Sequence, residues 1–93
     1  MNLNFERFTF DIEPIKVLFV SEPYVYYTRL GFAVAADIFL IKKKHKRSIL
    51  LSAMSLSKEI FNRMAENDNK LENLEVWIYK ESNDRKAKYI IED

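Results

Sequence analysis

The sequence predicts a mainly β domain, a five- to six-stranded curved antiparallel sheet with one short helix. Apolar and polar side chains alternate along most of the chain, which is the two-residue period of half-buried strands. The period changes only once, at Leu56, where it becomes that of a helix. The 93 residues include one glycine and two prolines and contain no low-complexity run. We therefore expect one domain, residues 1–93, without a linker.

The first third of the chain predicts an arm or strand followed by two strands. Phe8, Phe10 and Ile12 alternate with polar residues, and Pro14 ends the run because proline cannot donate to a sheet. Residues 1–14 are thus expected to form an N-terminal strand or arm, and residues 15–92 the core. Residues 15–20 and 24–28 are rich in β-formers. Pro23 between them indicates an edge, a bulge or a bend.

Gly31, the only glycine, is expected at a turn or kink whose backbone conformation other residues avoid. A long strand follows over residues 32–41, with Val34, Ala36, Ile38 and Leu40 on one face and Ala33, Ala35, Asp37 and Phe39 on the other. Residues 42–47 then turn the chain, and residues 48–53 return as a further strand.

The helix is predicted within residues 55–66, where Leu56, Ile60 and Met64 form an apolar stripe with Phe61 beside it. We expect this stripe to pack on the sheet against Val17, Leu50 or Val76. Ser55 or Ser57 is a suitable N-cap, and residues 67–69 (Asn-Asp-Asn) are suited to ending the helix. Two strands complete the chain, one in which Leu74, Val76 and Ile78 alternate with Glu75, Trp77 and Tyr79, and one over residues 87–91.

The composition predicts a protein without a recognisable enzyme active site and without a cofactor. Cysteine is absent, which excludes disulfides, thiolate metal sites and cysteine nucleophiles. The single histidine, His45, lies among lysines that repel a metal cation and disfavour the imidazolium. One glycine cannot form a phosphate-binding loop. Asp37 is the one acid within an apolar strand, and strict alternation favours an outward-facing position for it.

Positive charge is concentrated in residues 42–47, the basic segment, which contains Lys42, Lys43, Lys44, Lys46 and Arg47. The net charge of the chain is only +1, and the remaining residues carry ten positive and fourteen negative charges. The positive charge is therefore local, as in a docking patch. A solvated hairpin tip whose lysines maintain solubility accounts for the same pattern equally well.

Aromatic residues supply a second candidate binding feature. If Val76 and Ile78 face the core, Trp77 and Tyr79 face outward. Tyr24, Tyr26 and Tyr27 share one strand, and Arg29 follows them. Burial tendencies favour core positions for Phe19, Phe32 and Phe39. An outward Trp–Tyr pair suits either stacking on bases or a protein interface.

The order strand, strand, strand, helix, strand, strand resembles the oligonucleotide-binding (OB) fold, a partly open, five-stranded Greek-key barrel. The segments IKVLFVSEPYVYYT, LGFAVAADIFLI, SILLSAMS, SLSKEIFNRMA, NLEVWIYKES and AKYIIED carry the resemblance. An open α+β sheet has the same element order, and a single glycine is few for such a barrel. The resemblance implies a ligand that crosses the second and third strands and the neighbouring loops. It therefore points to Phe32, Phe39 and residues 42–47, with Tyr26 nearby.

Three functions remain in contention, and the missing catalytic groups disfavour one of them, an enzyme or small-ligand binder. The first of the other two is binding of single-stranded DNA or RNA, with stacking from Trp77, Tyr79 or Tyr26 and phosphate contacts mainly from Lys43, Lys44, Lys46 and Arg47. The second is a small protein-interaction module, an inhibitor or adaptor that docks through exposed aromatics or a sheet edge. An unpaired edge in so small a sheet also favours pairing with a second copy. Residues 1–7 do not resemble a signal peptide and no apolar run is long enough for a membrane helix, so a cytoplasmic location is expected.

Overall fold

The computed structural model describes residues 3–93, which form six strands and one helix and confirm the mainly β prediction. The elements are β1 (Ile15–Phe19), β2 (Tyr24–Thr28), β3 (Gly31–Leu40), β4 (His45–Leu50), α1 (Met54–Glu66), β5 (Glu75–Lys80) and β6 (Tyr89–Glu92). All strand pairs within the curved sheet are antiparallel.

The ten-residue strand β3 is the centre of the sheet. Leu40 pairs with Val17 of β1 on one edge and with His45 of β4 on the other. Tyr24 of β2 pairs with Ala35 on the same edge as β1. β1 and β2 are thus two parts of one strand that bends at residues 20–23, where Pro23 predicted an irregularity. The amide of Val20 still donates to the carbonyl of Asp37 across this bend.

The connection between β4 and β5 completes a Greek key. β1 with β2, β3 and β4 are joined in sequence by short turns, and β5 then returns through α1 to pair with β1. This is the arrangement in which the fourth strand lies beside the first. β6 adds to the free side of β5.

The hydrophobic core lies between the inner face of the sheet and α1. Val17, Ile38, Val76 and Ile78 are fully buried there, and Phe19 is buried with them as predicted. Leu56 and Ile60 supply the helix side, and Met64 packs partly against the same core. Phe61, which was predicted to join them, is instead 47% exposed because it lies at the solvent edge of the helical stripe.

The C-terminal end of α1 agrees with the sequence prediction, whereas its N-cap does not. Ala53 is the N-cap and cannot bond through its side chain, so the prediction of a serine cap is wrong. The Ser55 hydroxyl accepts the amide of Tyr89 instead, which ties the helix start to β6. At the other end, Asp68 and Asn69 adopt left-handed conformations, as expected for residues that terminate a helix.

The arm, defined here as residues 3–14, is extended but is not the strand that the alternation predicted. It forms a single bridge, between Arg7 and Ser48. Phe10 is buried in the core, whereas Ile12 is 47% exposed. The amide of Lys80 donates to the carbonyl of Asp11, so the arm reaches from β4 to the end of β5. Bonds to two separate strands hold it without continuous pairing.

Candidate functional site

Lysine and aromatic side chains meet on the outer face of the sheet, the face opposite α1. Lys16 and Trp77 are paired across β1 and β5, and the Lys16 Nζ lies 5.8 Å from the centroid of the Trp77 ring. The same Nζ lies 3.1 Å from a carboxylate oxygen of Glu75. The alternation of β5 places Trp77 outward, and 38% of its surface is exposed. Its ring is therefore available for stacking beside a cation.

A groove of about 750 Å³ lies beside Trp77. Lys16 of β1 and Ile41, Lys42 and Lys43 of the turn after β3 line it, together with residues of the arm. Two acids of the arm, Asp11 and Glu13, also line the groove. Its walls thus combine an indole ring, three ammonium groups and two carboxylates.

The basic segment is divided between a turn and a strand. Residues 41–44 form the turn, and Lys44 takes a left-handed conformation with φ of 58°. β4 begins at His45, not at Ser48 as the composition indicated, so Lys46 and Arg47 belong to the strand. Lys46 pairs with Phe39 on the outer face, whereas Arg47 pairs with Ile38 and lies on the inner side. The Arg47 guanidinium donates to the carbonyl of Lys46.

Phe39 and Tyr79 are the other outer-face aromatics. Phe39 is half-buried on the outer face, away from the core position that its type favoured. The Lys46 Nζ lies 5.8 Å from the ring centroid of Phe5, which belongs to the arm. The Tyr79 hydroxyl donates to a carboxylate oxygen of Glu92, and that bond raises the pKa of Tyr79. Tyr79 is therefore held against β6.

Three further candidates lie at the far end of β3. Tyr26, Arg29 and Phe32 belong to the β2–β3 hairpin, which turns at residues 28–31. Phe32 is separated from Lys42 by the whole of β3, about 30 Å at the usual rise of an extended strand. Phe32 is 75% exposed, so its predicted core position is wrong. The predicted residues thus fall into two groups at opposite ends of the sheet.

A second cluster of positive charge was missed in the sequence. β3 and β5 both run antiparallel to β1, so both end where β1 begins. The turn at 41–44 and the loop at 81–88 therefore lie at the same end of the sheet, called the basic end below. The loop contains Arg85, Lys86 and Lys88 together with two acids, Glu81 and Asp84. The two acids that precede these bases bring the net charge of the loop down to +1, so the composition of the segment did not indicate a positive cluster.

Asp37 is buried on the outer face, although alternation alone favoured an exposed position. Its carboxylate accepts bonds from Tyr24 (2.6 Å), Ser48 (2.7 Å) and Asn4 (2.8 Å). Burial, followed by the bond to Asp37, raises the pKa of Tyr24. The amide of Phe5 also donates to the Ser48 hydroxyl. This network fixes the start of the arm over β3 and β4.

Within residues 3–93, no helix is long and apolar enough to cross a membrane. The same part of the chain contains no group of three or more histidine or acidic side chains placed to hold a metal ion. Comparison of the chain with protein-family models, with curated proteins and with solved structures found no significant match.

Proposed function

We propose that this protein binds single-stranded DNA or RNA at the basic end of the sheet. The observation that carries the proposal is the placement of Trp77 in one groove with Lys16, Lys42 and Lys43. Proteins that bind single strands combine a positive path for phosphates with aromatic rings on which bases stack. Trp77 supplies the ring, and the three lysines supply the path.

The charges around the groove support a strand that runs across the end of the sheet. Lys42 and Lys43 line the groove, Lys44 follows them in the same turn, and Arg85 and Lys86 belong to the loop at the same end of the sheet. Asp11 and Glu13 of the arm also line the groove. A phosphate backbone is attracted to the lysines, and a base can stack on the Trp77 ring beside Lys16.

The architecture also supports the proposal. The Greek-key pairing, with a helix before the strand that returns to β1, agrees with the proposed resemblance to the OB fold. In that class the ligand lies on the second and third strands and neighbouring loops. In this chain, the turn that joins β3 to β4 contains Lys42, Lys43 and Lys44.

The test is an anisotropy titration with labelled poly-dT and poly-U at two salt concentrations. The double variant Lys42→Gln, Lys43→Gln should weaken binding and flatten the slope of log affinity against log salt by about 1.4, because each phosphate contact to a single strand contributes roughly 0.7. The matched control Lys58→Gln, Lys70→Gln removes the same charge from exposed positions outside the basic end. Equal losses in the two variants, or no binding by the wild type at low salt, would contradict the proposal.

A second candidate function, the protein-interaction module, is favoured by the exposed apolar side chains of the β2–β3 hairpin. These side chains lie at the opposite end of β3 from the basic end, so a protein bound to them leaves the basic end accessible to nucleic acid.

A further inference from the structure

The β2–β3 hairpin, defined as β2 with residues 29–34, extends the inner face of the sheet beyond the helix that covers the core. Val25, Tyr27, Phe32 and Val34 point to this face and are all exposed. Leu30, at the tip, is fully exposed. Val25, Tyr27, Phe32 and Val34 border a cavity of about 520 Å³, which Leu51 also lines at the core side. The face is thus an apolar continuation of the core without its cover.

The hairpin presents two rows of side chains of different height. Val25 pairs with Val34, and Tyr27 pairs with Phe32 one row nearer the tip. The Tyr27 and Phe32 rings meet edge to face, with centroids 4.9 Å apart. The aromatic side chains are larger and therefore project further from the sheet than the valines. From the core towards the tip of the hairpin, the order is Leu51, the two valines, the two aromatic rings and Leu30.

We propose that this face binds the same face of a second copy in a two-fold symmetric dimer. Two hairpins laid antiparallel, face to face, place the ring row of each on the valine row of the other. Leu30 of each tip then reaches the Leu51 region of its neighbour. An isologous contact requires this reciprocity, because each residue must suit the surface that its own symmetry mate presents.

The chemistry of the surface selects a second copy as the partner. All seven described residues that line the cavity are uncharged, so two copies meet without like-charge repulsion. With aromatic side chains offering roughly 150–250 Å² each, the five exposed side chains present on the order of 550 Å² per copy. Complete coverage of these side chains in two copies buries on the order of 1,100 Å², close to the ~1,000 Å² at which specific interfaces begin.

The edge of the hairpin adds to this surface. Within residues 3–93, β2 pairs only with β3, and β4 pairs with β3 only from Ala35 onward. The amide of Leu51 also donates to the carbonyl of Val34. Backbone groups along the β2 edge of the hairpin are therefore available to a neighbouring chain. A partner that covers the apolar face also shields this edge from other chains.

Sedimentation velocity over a concentration series tests the proposal. The wild type should shift from monomer to dimer as concentration rises. Phe32→Glu should weaken the dimer by at least about 30-fold, because a central interface aromatic is lost and a charge is buried against its mate. Phe61→Glu is the matched control, since it makes the same change at an exposed phenylalanine of α1 and should leave the dimer unchanged. Leu30→Asp, at a fully exposed position that folding does not use, should weaken it too.

The contact itself can be observed by NMR in a mixture of labelled and unlabelled protein. Intermolecular NOEs should join the ring protons of Tyr27 and Phe32 to the methyl groups of Val25 and Val34. A protein that stays monomeric throughout the series would overturn the proposal. So would a dimer that Phe32→Glu and Leu30→Asp leave intact, because it would use another surface. Oligonucleotide binding by folded Phe32→Glu should be retained, which separates this inference from the proposed function.

Discussion

Lys16 lies between Trp77 and Glu75 on the outer face of the sheet. Its Nζ is 5.8 Å from the indole centroid and 3.1 Å from the Glu75 carboxylate. All three side chains are partly exposed, so the ion pair is worth little in water, roughly 0–1 kcal/mol. A phosphate that entered the groove would compete with Glu75 for the same ammonium group. Under the proposed function, a carboxylate therefore sets part of the affinity of the groove for nucleic acid.

Glu75→Gln should strengthen oligonucleotide binding. The amide leaves Lys16 available to phosphate and removes a negative charge beside the strand. Loss of a surface ion pair of this size corresponds to a gain of about 2–5-fold in affinity at low salt. Anisotropy titration measures it, with Glu66→Gln at the end of α1 as the charge-matched control. Unchanged affinity in Glu75→Gln would show that Lys16 does not contact phosphate.

Trp77→Ala should weaken binding with little change in salt dependence. A base stacked on an aromatic ring contributes roughly 1–3 kcal/mol and releases few ions, so the loss is about 5–150-fold at every salt concentration. Trp77 is the only tryptophan, and its emission should change when a base stacks on it. Emission that stays constant at saturating poly-dT and poly-U would place the contact elsewhere on the protein.

Ile60→Ala should destabilise the fold by about 2–5 kcal/mol, because it removes a fully buried side chain that α1 inserts into the core. Phe61→Ala, one residue along the same helix, should cost less than Ile60→Ala, since its ring is half exposed. Urea denaturation of both variants gives the comparison. Equal losses would mean that Phe61 shares the core packing of Ile60.

Asp37 and Tyr24 should show coupled contributions to stability. Asp37→Ala removes the acceptor that Tyr24, Ser48 and Asn4 share, and the buried Ser48 hydroxyl is left without it at a cost of about 1–3 kcal/mol. Tyr24→Phe removes one of the donors to this acceptor. The double variant should therefore lose less free energy of unfolding than the two single losses combined. Strict additivity in urea melts would show that the two residues act independently.

Glu22 should make stability depend on pH in the acid range. Its carboxylate accepts the amides of Leu71 and Glu72, and these bonds lower the pKa of Glu22 below its ordinary value of 4.5. A lowered folded-state pKa stabilises the fold above 4.5, and this stabilisation is lost as the pH falls through the folded value. Glu22→Gln should remove this part of the acid dependence in thermal melts at a series of pH values. A variant curve parallel to that of the wild type throughout would contradict the assignment.

Local patterns predicted the faces of strands but not what covers them. The alternation of β5 correctly placed Val76 and Ile78 inside and Trp77 outside, and the single glycine lies at φ of 121° in the hairpin turn. Burial tendencies favoured a core position for Phe32, which lies on the inner face of the sheet but is 75% exposed. Neither signal could show that the inner face continues past the end of α1, because the length of a helix relative to a sheet is a tertiary property.

For Asp37 the error is reversed, because the residue was expected to be exposed and is buried. Alternation placed it on the outer face, where it is, but that face is covered by the arm. The arm follows β4 through isolated bonds, and no period in residues 3–14 indicates which strand they will contact. The candidate site was also predictable only in part. Sequence proximity identified residues 42–47, whereas their approach to Lys16 and Trp77 depends on strand register.

The position of β1 also has a consequence for how the chain folds. Val17 pairs with Leu40 on one side and with Val76 on the other, so β1 is not complete until a strand from near the end of the chain has arrived. Closing so long a loop carries an entropic cost before any pairing stabilises it, which is why sheets rich in non-local contacts fold slowly. During synthesis at about 5–20 residues per second, β1 waits roughly 3–12 seconds for β5. For that interval a nascent chain displays an apolar, unpaired strand edge of the kind that makes folding intermediates prone to aggregation.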